Sequence, residues 1–129
     1  MSFLNLTPTL RVTLGNPLLD RTYPGDGFAL AVLDTGYEGF LAIPRDVFHE
    51  LGLEALRTET RVLTLADGSR LSSEGAYGTL KVPSPSFETD GFIETLQGLD
   101  EIIVGAEALT HFSVLLDYCT RRLRMRSCP

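Results

Sequence analysis

The chain has 129 residues, enough for one domain around a single apolar core. Its net charge of −6 argues against nucleic acid as a partner, because affinity for phosphates comes from lysines and arginines that release counterions. The 43% hydrophobic fraction is that of a globular protein, no window approaches the roughly eighteen apolar residues of a membrane span, and Met1 to Asn5 is no charged-then-apolar leader; a soluble, cytoplasmic protein with no membrane partner is expected.

Thr9 to Leu14 alternates apolar and polar residues and reads as a strand, broken by Gly15-Asn16-Pro17. Tyr23 to Gly27 is a turn cluster, and Phe28 to Leu33 is an apolar strand. Phe40 to Ile43 is a short apolar piece closed by Pro44, after which Asp46 to Leu51 has helical spacing with Gly52 in the stop position. Arg61 to Leu65 and Arg70 to Glu74 flank Ala66-Asp67-Gly68-Ser69, and Asp-Gly between extended segments predicts a protruding hairpin.

Gly75 to Val82 continues as strand, Pro83 to Ser86 is a loop, and Phe92 to Leu96 reads as an alternating strand before Gly98. Ile102-Ile103-Val104 is a buried-strand run ending at Gly105, followed by helical spacing from Ala106 to Phe112. Val114 to Tyr118 returns to strand, and Leu123 and Met125 alternate with Arg122, Arg124 and Arg126, whose side chains are expected to form a solvated face. The pattern predicts an all-β chain of six to eight short strands closing into a small barrel, with one or two short helices and no linker or repeat.

Cys119 and Cys128 lack CxxC spacing, and His49 and His111 stand apart, so no metal site is expected and the thiols are read as reduced. The residues that can carry chemistry are Asp34-Thr35-Gly36, directly after the apolar run Ala31-Val32-Leu33. A carboxylate at the end of a buried strand needs hydrogen-bond partners, and Gly36 lets the backbone turn so that amide hydrogens face it. Thr35 can brace that turn.

An apolar strand with Asp-Thr-Gly, a hairpin, a strand ending in two apolar residues and glycine, a short helix and a final strand follow one another here. This order resembles the retropepsin-like aspartic proteases. The match runs from Phe28 to Met125, and Gly39-Phe40-Leu41, Leu51-Gly52-Leu53, Leu65-Ala66-Asp67-Gly68 and Leu115-Leu116-Asp117-Tyr118 look like the bacterial and archaeal single-domain branch. The resemblance implies that residues 1–129 form one closed barrel of retropepsin (acid protease) type, an aspartic endopeptidase acting on polypeptide.

It further implies catalytic roles for Asp34, Thr35 and Gly36, with Thr35 hydroxyls bonding across a dimer axis and Gly36 amides holding the carboxylates coplanar. Substrate would meet Tyr37, Glu38, Gly39 and Val104 along the floor and Ala66, Asp67 and Gly68 on a flap. No metal or organic cofactor is implied. The reaction needs two carboxylates, whereas the chain has one Asp-Thr-Gly and about half the length of a two-lobed enzyme, so a two-fold homodimer is expected. In that family the termini build part of the dimer interface, which leaves two places for Leu123 and Met125 to be buried: against the partner subunit, or within one barrel.

Two positions depart from the family. Tyr37 stands where many members have alanine or serine beside the substrate channel, so a reshaped or partly filled pocket is expected. Ala106 stands where retroviral members carry an arginine that pairs with an acid, leaving Glu38 in that acid's place without its partner. Asp117 is expected to hold a backbone turn, not to act as the second carboxylate. A second reading, of another class, is a noncatalytic module that keeps the barrel and binds peptides or a partner protein.

Overall fold

A computed structural model describes residues 2–129. Strands β1 (Ser2–Leu4), β2 (Thr7–Asn16), β3 (Arg21–Tyr23), β4 (Ala29–Leu33) and β5 (Leu41–Ile43) lead into helix α1 (Arg45–Glu50). After a single 3-10 turn at Leu53–Ala55 come β6 (Glu59–Thr64), β7 (Arg70–Val82), β8 (Phe87–Leu96) and β9 (Ile102–Val104). Helix α2 (Ala106–Leu109), β10 (Phe112–Asp117) and β11 (Arg122–Ser127) complete the chain.

Six of these strands close a barrel in the circuit β2-β4-β9-β5-β8-β7 and back to β2. Closure is possible because β2 is long enough to serve two neighbours: Thr9 to Val12 pair with β4, and Thr13 to Gly15 pair with β7. The period-two pattern on β2 sends Leu10, Val12 and Leu14 inward, where they meet Leu41, Ile43, Phe48, Leu80 and Ile93 in one core. Removing such side chains from water contributes roughly 1.5–3 kcal/mol each. The chain forms the expected small closed β-barrel, and of the one or two short helices expected it has two.

The details differ from the sequence reading in several places. Among the described residues there are eleven strands instead of six to eight; two that the sequence reading did not place, β1 and β3, pair with β2 and have only three residues each, with little pattern to read. Strand β2 runs through Gly15 and Asn16 instead of breaking there: Gly15 pairs with both Thr22 and Thr79, and the buried Asn16 amide donates to the Leu51 carbonyl at 2.9 Å. Helix α2 stops at Leu109, and Phe112 already belongs to β10. Gly52 ends α1 as expected, with φ +69° and its amide donating to the His49 carbonyl at 2.8 Å.

Leu123 and Met125 are 3% and 8% exposed and lie in the core of their own chain, so they are not held for a partner subunit. Arg122, Arg124 and Arg126 point the other way into solvent, as alternation requires. Deleting residues 120–129 is therefore expected to unfold the protein, since it strips β11 from β10 and opens the core; loss of the cooperative thermal transition checks this. A deletion that melts like the full chain and merely weakens self-association would restore the interface role.

Asp117 holds the turn between β10 and β11, its Oδ1 accepting from the amides of Cys119 and Thr120 at 3.0 and 3.2 Å. Bonding by Thr120 holds its carboxyl below the ordinary value of 3.8. Because the folded value is the lower one, the stabilisation is complete above about pH 4 and fades as pH falls through the folded value. Asp117→Asn, which cannot ionise, is expected to lower the neutral plateau of a Tm-against-pH profile slightly and to flatten its acid limb, converging on the parent's Tm at low pH. Cys119 and Cys128 are free and exposed, and among the described residues no helix is long and apolar enough to cross a membrane.

Candidate functional site

Strands β4 and β9 run parallel with Leu33 beside Val104, so the chain leaves the barrel wall at Asp34. The Asp34 amide still donates to the Val104 carbonyl at 3.0 Å, which fixes its backbone to the barrel. The chain then turns: the Gly36 amide donates to Asp34 Oδ1 at 2.9 Å, and the Tyr37 amide to the Asp34 carbonyl at 3.3 Å. Past the turn, the amides of Ala106, Glu107 and Gly105 donate to the carbonyls of Tyr37, Gly39 and Phe40 at 2.7, 3.1 and 3.0 Å. The loop carrying Asp34 is thus stitched to the β9–α2 corner along its whole length.

Opposite this loop stands the hairpin of β6 and β7. Its tip is a three-residue turn in which the Gly68 amide donates to the Leu65 carbonyl at 2.9 Å and the Leu65 amide to the Ser69 carbonyl at 2.8 Å. Gly68 has φ +86°, the left-handed geometry that such a tip requires. Asp67 Oδ1 accepts from the Ser69 hydroxyl and amide at 2.6 and 2.8 Å, bonds that hold its carboxyl below the usual range. Val62, at 62% exposure, and Leu65, at 43%, are apolar side chains left uncovered on this hairpin.

Loop and hairpin enclose a cleft of about 600 Å³. The loop lines it with Asp34, Gly36, Tyr37, Glu38 and Gly39, the hairpin with Arg61 to Ala66, and Ala42, Leu96 and Ile103 complete the lining. The structure therefore brings together most of the sequence-predicted residues. Thr35 is exposed beside Asp34, and Val104 is buried and reaches the site only through its carbonyl. Asp67 and Gly68 sit at the exposed tip, outside the cleft wall, because the turn carries them past its edge. Glu38 is exposed and faces the cleft.

Sequence reasoning missed a polar cluster behind this wall. Glu94, on β8, is completely buried. Its Oε2 accepts from the Tyr37 hydroxyl, its Oε1 accepts from the Ser73 hydroxyl at 2.5 Å, and an Arg61 guanidinium nitrogen lies 3.9 Å from Oε2. Arg61 also lies over the Phe92 ring, 5.3 Å from its centroid. Burial, reinforced by Glu94, raises the Tyr37 phenol well above its ordinary value, so it stays protonated and donates. The Tyr37 side chain is accordingly folded against the barrel wall over Gly39 and Gly105, and both glycines are needed for it: a Cβ at either would overlap Tyr37.

An uncharacterized protein of Archaeoglobus fulgidus is 44% identical over 126 residues, covering 98% of each chain. The present chain belongs to its family. The match spans the Asp34 loop, the hairpin and the β9–α2 corner together, so it concerns the whole site and not a single element. No family model matches the chain, and no solved structure matches it.

Proposed function

We propose that the chain is one subunit of a homodimeric, retropepsin-like aspartic endopeptidase acting on extended polypeptide. The observation that carries this reading is the placement of Asp34: a half-buried carboxylate at a strand end, its backbone held by Val104 and its Oδ1 by Gly36, open to a cleft roofed by a hairpin with unpartnered apolar side chains. An ionisable group so fixed in a cleft fits a chemical task better than a structural one. Substrate would lie as a strand between hairpin and loop, and closure of the hairpin would exclude water from the reacting bond.

Two Asp34 side chains meeting at a two-fold axis would share one proton. The protonated one hydrogen-bonds the scissile carbonyl oxygen while the ionised one takes a proton from water, whose oxygen adds to the carbonyl carbon. Collapse of that adduct breaks the carbon–nitrogen bond, with a proton passing to the leaving amine. Carboxylates about 3 Å apart resist double ionisation, so the singly protonated pair would work in mild acid and fail at alkaline pH.

Wild type and Asp34→Ala incubated with a diverse peptide library between about pH 4 and pH 7, read by mass spectrometry, test this. Cleavage by wild type alone is expected. Silence from a folded wild-type protein would overturn the protease reading and favour the noncatalytic peptide-binding module.

A further inference from the structure

Glu94 has no evident task in the barrel itself. A buried carboxylate costs stability unless it is paired and hydrogen-bonded, and an apolar side chain would serve a barrel interior at lower cost. All three partners that satisfy Glu94 come from elements framing the cleft: Tyr37 from the Asp34 loop, and Arg61 and Ser73 from the two strands of the hairpin. The carboxylate thus ties both walls of the cleft to strand β8, and what it fixes most directly is the Tyr37 ring.

That ring occupies the space that Gly39 and Gly105 leave open, three residues after Asp34 and in the same cleft wall. A substrate side chain lying against this wall meets a packed, hydrogen-bonded ring instead of a hollow. We infer that Glu94 is a positioning residue that holds Tyr37 as the wall of the subsite adjoining Asp34 and so restricts the substrate there to small side chains: glycine, alanine or serine. This rests on the proposed reading only so far as the cleft takes an extended polypeptide. Hydrolysis itself is not required.

The test uses the full chain carrying Asp34→Asn, so that peptides are bound and not consumed, with fluorescent hexapeptides in which each position in turn is alanine or leucine. One position is expected to disfavour leucine by about tenfold or more, the scale on which a closed apolar site rejects added methylenes. Adding Tyr37→Ala should abolish that discrimination. Tyr37→Phe keeps the ring but frees it from Glu94 and should narrow the discrimination, whereas Glu94→Gln, which can still bond the hydroxyls of Tyr37 and Ser73, should keep it.

A general loss of packing would weaken alanine and leucine peptides alike and leave their ratio unchanged. The inference is overturned if no position discriminates by size, if no peptide binds, or if Tyr37→Phe shows the same ratio as its parent. Size-selective binding together with a wild-type protein that cleaves nothing would remove the protease reading and leave this inference standing.

Discussion

Asp34→Asn is expected to lower kcat/KM for peptide hydrolysis by on the order of 10⁴ or more, the scale on which loss of a central catalytic group acts. The substitution keeps the volume of the side chain, and the new amide oxygen can still accept from Gly36, so the loop should keep its shape. What is lost is the ability to hold or take a proton, and in a two-fold dimer it is lost from both sides at once. An unfolding free energy from urea titration within about 0.5 kcal/mol of wild type would separate this chemical effect from a folding one. Retained cleavage by Asp34→Asn would assign the activity to some other group.

Among single substitutions, Gly105→Ala is expected to have the largest effect on stability, destabilising the fold by about 3 kcal/mol or more. Gly105 has φ −96° and ψ 178°, a conformation open to any residue, so the requirement is one of space. Its Cα faces the Gly39 carbonyl oxygen and the Tyr37 ring, and a methyl group there would have to displace the backbone at Tyr37 and Gly39 in the Asp34 loop. The hydrogen bonds from Gly105, Ala106 and Glu107 to that loop would be strained together. A reduced urea midpoint measures the cost, and an unchanged midpoint would show that the loop and the β9–α2 corner are less tightly joined than their contacts imply.

Why some of this was legible in the sequence follows from which signals are local. The apolar run ending at Asp34, the Asp67-Gly68 turn and the stop at Gly105 are each set by a few neighbouring residues, and each lies where the sequence places it. Closure of β2 onto β7 is not local: it pairs Thr13 with Lys81, and no single segment records it. The interior position of Leu123 and Met125 is likewise decided by barrel contacts, since alternation shows two faces without saying what covers the apolar one.

Glu94 illustrates the same limit within the site. In an alternating strand an acid is read as facing water, yet Phe92 to Thr95 are all buried because both faces of β8 are covered at that point. Only the joint arrival of Tyr37, Ser73 and Arg61 makes the position tenable. Tyr37 stands out in the sequence beside Asp34, and its size alone points to a filled channel; the partner that draws its hydroxyl into the wall lies far along the chain.

The proposed pairing of two Asp34 carboxylates is tested most directly by mixing wild-type and Asp34→Asn chains in varying ratio, letting subunits exchange, and measuring cleavage of a good peptide at mildly acidic pH. If each active centre needs one carboxylate from each subunit, activity falls as the square of the wild-type fraction, because a mixed dimer is silent. Activity proportional to that fraction, or no cleavage by the unmixed wild-type protein, would contradict it.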